Sequence, residues 1–160
     1  MTAKDFKIIS ARINDEIENI EALISELQEK SLYNELTGLQ ENKFFLRSTG
    51  SILHDFYVAV ENTLKIVCSE IDEKLPDGSE WHLLLLKQAT YNIPEIRPAI
   101  LSKKTMEKLD KYRAFRHVFR NVYGFNLDAF RIKELLLELP DTIDLFKDDI
   151  KKFQNLLEEI

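Results

Sequence analysis

A single cysteine, Cys68, is all the thiol chemistry this chain holds, so a disulfide framework is excluded and a reducing, cytoplasmic compartment is expected. Cys68 falls within an apolar helical pattern and reads as a small core residue rather than a nucleophile. Long apolar runs are missing as well. No stretch approaches the roughly 20 residues that span a bilayer, and the start, MTAKDFKIISARINDE, mixes acids with alternating polarity where a signal peptide needs an unbroken apolar segment. A soluble, unexported protein with no membrane partner is expected. Glycine and proline are sparse, four of each, and there is no glycine-rich phosphate loop, no His/Cys spacing for zinc and no calcium loop. We therefore expect neither a metal nor a cofactor. The 160 residues are 44% hydrophobic, enough for one domain, residues 1–160, with a core of its own.

Charge is distributed unevenly around the net value of −6. Residues 103–120 hold seven basic side chains, Lys103, Lys104, Lys108, Lys111, Arg113, Arg116 and Arg120, against Glu107 and Asp110, a local +5 that leaves −11 for the remainder. Such a balance argues against coating nucleic acid with the whole surface and permits one basic cleft. The bland alternative is a solvated helix face, with Glu107 and Lys111 attractive at i,i+4 and Lys104 and Lys108 mildly repulsive.

Alternating β-branched runs are also missing, and the periodicity is helical nearly throughout, which predicts an all-α antiparallel up-and-down bundle of four to five main helices. Phe6, Ile9, Ile13, Ile17, Ile20, Ile24 and Leu27 step by three and four and predict a first helix of about six turns. A polar connector around Lys30 to Asn42, containing Gly38, precedes a second helix carrying Phe45, Ile52, Phe56, Val60, Thr63, Val67 and Ile71. The LPDGSE segment turns the chain, and Ser79 is the expected N-cap of a short third helix, SEWHLLLLKQATY, read as a buried connector because four consecutive leucines cannot share one face. After a loop held by Pro94 and Pro98, a fourth helix capped by Ser102 should run to Tyr123 and stop at Gly124. A fifth, Leu127 to Leu139, should break or kink at Pro140 before a last helix resumes at Asp141 and continues through Phe146, Ile150, Phe153 and Leu157.

Chemistry concentrates in Tyr112 to Phe125, YRAFRHVFRNVYGF. On an ideal helix Arg113, His117, Arg120 and Gly124 form one stripe and Arg116, Arg120 and Tyr123 another. Arginine's planar fork suits phosphate oxygens, and histidine is the usual proton carrier near neutral pH, so the spacing allows a phosphate site. Elsewhere, His54 and Glu61 lie a heptad apart on the second helix and could line the same cleft, but an exposed or hydrogen-bonded role is the first reading of both. His82 beside Trp81 reads as packing, and Asp141, Asp144, Asp148 and Asp149, interleaved with Lys147 and Lys151, read as a solvated face rather than a metal site.

The segment Arg116-His-Val-Phe-Arg-Asn121-Val-Tyr123 resembles the Arg-x4-His-x-Tyr motif of HepT-like toxins, members of the HEPN superfamily found in type VII toxin–antitoxin systems. Arg116 matches the arginine and Tyr123 the tyrosine, while Asn121 stands where the family carries histidine. Residues 54–67, HDFYVAVENTLKIV, are similar to the family's second helix. The resemblance implies a homodimer that places two motif copies across a shared cleft and cuts RNA without metal. Arg116 would hold the scissile phosphate, Arg113, His117 and Arg120 would bind RNA, and the residue at position 121 would assist attack by the ribose 2′-hydroxyl. A nucleotidyltransferase antitoxin would add AMP to Tyr123, and that bulky anion would block RNA.

Asn121 bears directly on activity, because an amide hydrogen-bonds but cannot carry a proton near pH 7, and losing general acid–base help costs about 10²- to 10⁴-fold. His117 lies about 40° round the helix and roughly 6 Å below position 121, so it substitutes only if the helix end is distorted or a dimer partner supplies it. Two readings of Asn121 stand side by side, a naturally inactive member and a residue altered to tolerate a toxic product. The alternative function is a non-catalytic HEPN module that binds RNA or nucleotide and serves as partner or substrate of the nucleotidyltransferase.

Overall fold

The computed structural model describes residues 2–29 and 42–159. Helix α1, Ala3–Glu29, follows the apolar seam: Phe6, Ile9, Ile13, Ile20 and Leu27 are buried, with Ile17 and Ile24 packed at the edge of the core. The expected connector with Gly38 lies outside the described residues except for Asn42, whose side chain accepts from the Phe44 and Phe45 amides (3.1 and 3.2 Å) and caps helix α2, Lys43–Glu70. That cap satisfies two of the amides that a helix start leaves without partners.

Helix α2 is the centre of the molecule. It packs against α1 and against each of the later helices, α3 (Trp81–Gln88), α4 (Lys103–Asn121) and α5 (Ala129–Glu158). Its residues Leu53, Phe56, Tyr57, Val60, Leu64 and Val67 are therefore buried on several sides rather than along one stripe. The helices run up and down. Arg12 of α1 meets Glu70 of α2 (2.7 Å) while Asn62 reaches back to Glu16 (3.4 Å). Gln154 of α5 bonds Ser10 (2.7 Å) while Lys147 pairs with Glu21. Along α4 and α5, Asp149 accepts from the Ser102 amide (2.8 Å) and Tyr112 donates to the Leu135 carbonyl (2.7 Å). In each pair the residue numbers move in opposite directions, as antiparallel neighbours require.

Several expectations are corrected. Gly78, at φ +87°, makes the turn in LPDGSE, but the third helix begins later than Ser79: Trp81 is its first residue, and Glu80 stands at the cap without a side-chain cap bond. Helix α3 is not a buried connector. Leu85 and Leu86 are buried against α2 and α4, Leu84 is exposed and Leu83 is half-buried, because eight residues lying across two helices leave an outer face uncovered. Ser102 caps α4 as expected, accepting from Thr105 (3.1 Å), yet the helix ends at Asn121. Val122 and Tyr123 are extended, and Gly124 opens a 3-10 turn, Gly124–Asn126, instead of terminating the helix with a positive φ. A Cβ there would lie 2.7 Å from Nε of Arg47, so any other residue would have to displace that side chain. Lys111 pairs with Glu138 of α5 (3.0 Å) rather than with Glu107.

Pro140 does not break the last helix, which runs uninterrupted through it. Pro140 has no N–H for the Leu136 carbonyl, and beside that gap the Tyr112 hydroxyl donates to Leu135 O and Thr142 donates to Glu138 O (2.8 Å). The turn is further held because Leu135, Leu136, Leu139 and Ile143 are all buried, so packing outweighs one lost hydrogen bond.

Between α2 and α4 the chain is pinned by a buried ionic cluster. Arg97, 2% exposed, forks onto both oxygens of Asp72, with its second guanidinium nitrogen 2.7 Å from Oδ2, and donates to the carbonyls of Tyr91, Pro98 and Gln88. Gln88 completes the set, donating to Asp72 Oδ2 at 2.7 Å. Cys68 lies close by and is fully buried, and burial first, then the Asp72 carboxylate, pushes its thiol up to about 12. We expect it to resist alkylation in the folded protein and to react at once in denaturant. The linked pH effect has a definite sign. An unfolded thiol loses its proton near 9 while the folded one keeps it to about 12, so stability should fall by roughly 1.4 kcal/mol per pH unit in that window. Urea titrations at pH 8 and 10, with Cys68→Ala as control, measure it; equal slopes in both proteins would sink the assignment.

Candidate functional site

Helix α4 presents its basic face toward the start of α3, and the space between them is a cleft of about 450 Å³. It is lined by Arg113, Arg116, His117, Arg120 and Asn121 from α4, and by Ser79, Glu80, His82 and Leu83 from the turn and α3. Five of the six residues singled out in the sequence thus share one concavity. The sixth, Tyr123, does not. It lies past the end of α4, 74% exposed, in a neighbouring depression lined by Arg47, Ser51, Phe119, Val122 and Gly124. The predicted stripes containing Tyr123 and Gly124 end with the helix, since neither residue has helical backbone in α4.

Beneath the cleft sits a carboxylate for which the sequence favoured an exposed or hydrogen-bonded role over a place in the cleft. Glu61 of α2 is 2% exposed and is ringed by an imidazole and two cations. Its Oε2 lies 2.6 Å from Nδ1 of His82, and its Oε1 lies 3.7 Å from both a terminal nitrogen of Arg116 and Nζ of Lys65. A carboxylate this buried is costly unless paired and hydrogen-bonded, and these groups supply both conditions. His82 is therefore not simple packing: it stacks on Trp81 (centroids 3.6 Å apart) and turns its Nδ1 edge to Glu61. Lys65 in turn lies over the Trp81 ring, 4.5 Å from its centroid. Tyr57, one turn before Glu61, has its hydroxyl pushed well above the usual tyrosine range by burial and next by the Glu61 charge, so it stays neutral. His54 does not join this group; it packs against Phe119 (5.1 Å) and lies beside Asp55. A signal for Glu61 was present in the stripe Leu53, Tyr57, Glu61, Leu64 and Cys68, where an acid sits among residues that are otherwise buried and apolar or aromatic. Nothing in the sequence linked it to His82, 21 residues away.

The arginines differ in their freedom. Arg113 is tied to Asp110 one turn earlier (2.6 Å). Arg116 has only 14% of its side chain exposed, and its buried Nε has no hydrogen-bond partner among the described residues. A guanidinium N–H buried without an acceptor is rare in a folded protein, and this one belongs to a side chain that lines the cleft. Arg120 is exposed and makes no ion pair among the described residues. Asn121, also exposed, donates its amide to the His117 carbonyl (2.6 Å) and so caps its own helix end. Chemically, the arrangement suits a phosphodiester: a planar cation to hold it, further cations beside it, and an imidazole within the same wall.

Other concavities fit this role less well. The groove between α1 and α2 carries Arg12, Asp15, Glu16 and Lys65, charges of both signs, and Arg12 there is already held by Glu70. The four aspartates of α5 are interleaved with lysines, and Asp149 is engaged by the Ser102 amide. Among the described residues no helix is long and apolar enough to cross a membrane.

Comparison with curated proteins and with solved structures yields no match. A family model described as HepT-like protein matches residues 48–157, which covers nearly all of α2 and everything through α5, the cleft included. With more than half its length matched and five α-helices and no strand among the described residues, the chain belongs to the HepT-like family of the HEPN superfamily.

Proposed function

We propose that this protein is the toxin component of a toxin–antitoxin pair, a metal-independent endoribonuclease that grips the RNA backbone in the α4 cleft. The observation that carries the reading is the convergence of Arg113, Arg116, His117, Arg120 and Asn121 on one concavity, with the Nε donor of Arg116 buried and unpartnered at its wall. Arg116 anchors the scissile phosphate, Arg113 and Arg120 track its neighbours, and the ribose 2′-hydroxyl is the nucleophile. Exposed apolar side chains at Val118, Val122 and Phe130 flank the end of α4 and support a homodimer that brings two clefts together. The test is incubation with single-stranded RNA in excess EDTA, with product ends analysed. Fragments ending in 2′,3′-cyclic phosphate support the reading, and intact RNA under enzyme excess counts against it.

Neutralisation by a nucleotidyltransferase that places AMP on Tyr123 is the second element of the proposal. Tyr123 is accessible, and Arg47 in the same depression can hold the added phosphate. Tyr123→Phe is expected to abolish transfer of label from ATP by the cognate antitoxin; undiminished labelling would move the acceptor elsewhere. One observation favours the alternative of a non-catalytic RNA- or nucleotide-binding module: Asn121 replaces a proton carrier by an amide engaged with its own helix. Salt-sensitive RNA binding with no cleavage would select that alternative.

A further inference from the structure

We infer that His82, oriented by Glu61, is the general base of the cleft and takes over the proton transfer that Asn121 cannot perform. The inference rests on the ribonuclease reading. Three features separate His82 from an ordinary packed histidine. Its Nδ1 is 2.6 Å from a carboxylate that is 2% exposed, so that carboxylate accepts and Nδ1 carries the proton, leaving a lone pair on Nε2. The ring lines the same cleft as Arg116, and with one face on Trp81 and Nδ1 committed to Glu61, Nε2 is the nitrogen left for a ligand. The same carboxylate holds both partners, His82 on Oε2 and Arg116 on Oε1, so a phosphate taken by the guanidinium lies beside the imidazole. A carboxylate that orients an imidazole and stabilises its protonated form is the arrangement that makes histidine an effective base. His117 lacks it: no side chain among the described residues orients its ring, and only its backbone carbonyl is engaged, by Asn121.

The step balances within one protomer. Nε2 of His82 takes the proton of the ribose 2′-hydroxyl as the 2′-oxygen bonds to phosphorus. The bond from phosphorus to the 5′-oxygen breaks, and the departing oxygen takes a proton from water. His82 then returns its proton to solvent, leaving a 2′,3′-cyclic phosphate and a 5′-hydroxyl. Glu61 is a positioning residue and does not touch RNA.

The discriminating variant is His82→Asn, whose amide nitrogen occupies the place of Nδ1 and keeps the bond to Glu61 while removing Nε2. With an unstructured oligoribonucleotide as probe, cleavage is expected to fall about 10²- to 10⁴-fold while thermal melting and RNA affinity hold, and adding Asn121→His to the same chain is expected to recover the rate. A purely structural His82 predicts that His82→Asn cuts as well as the unaltered protein, which would overturn the inference. Cleavage by an Asn121→His variant where the unaltered protein cuts nothing would also overturn it, with the ribonuclease reading intact. If neither of those two proteins cuts, the ribonuclease reading fails and the inference goes with it.

Discussion

Asp72→Ala is expected to lower the unfolding free energy by about 3–5 kcal/mol, the largest loss anticipated for a single change outside the hydrophobic core. Arg97 has no exposed side-chain surface, and among the described residues Asp72 is the one charge that pairs with it. Removing the carboxylate leaves a guanidinium that cannot give up its proton, buried with only carbonyls of Tyr91, Pro98 and Gln88 as partners. Gln88 loses its acceptor in the same step. The consequence reaches the cleft, since this cluster anchors the connection between α3 and α4, the two helices that carry most of the cleft's lining residues. Urea denaturation followed by circular dichroism measures the loss. A change under about 1 kcal/mol would mean that the pair is solvated and that the loop is held by its prolines and by the Ile93–Arg97 bridge instead.

Arg116→Ala should behave in the opposite way, with a modest effect on stability and a large one on chemistry. Glu61 keeps His82 at 2.6 Å and Lys65 at 3.7 Å after the change, so the buried carboxylate is not abandoned. What disappears is the donor set facing the phosphate, and loss of a pre-oriented donor to a developing oxyanion costs about 10²- to 10³-fold in rate. Arg116→Lys should recover little, because an ammonium cannot reproduce the fork that meets two phosphate oxygens while another nitrogen faces Glu61. The ratio of cleavage rates at saturating RNA, with melting temperature as control, is the relevant measurement. Undiminished cleavage by Arg116→Ala would place the scissile phosphate away from the Glu61 wall and remove the basis of the proposed mechanism.

Local information determined much of this protein. The three- and four-residue spacing from Phe6 to Leu27, the cap at Ser102 and the turn at Gly78 are short-range effects, legible because they depend on residues within one or two turns of each other. The basic segment was legible for the same reason: Arg113, Arg116, His117, Arg120 and Asn121 follow one another on a single helix, and any helix there gathers them on adjoining faces. Where competing local rules met tertiary packing, they lost. Pro140 should stop a helix, but a buried face on both sides of it and donors from Tyr112 and Thr142 carry the helix through. Tyr123 and Gly124 continue the helical spacing, yet the chain leaves the helix at Val122 to lay Gly124 against Arg47. The joining of Glu61 to His82 and Arg116 was decided by tertiary structure alone. Arg116 was legible as part of its motif, but nothing local joined it to Glu61 or His82, and the energy that unites them, compensation of a buried carboxylate, arises only once α2, α3 and α4 have closed over it.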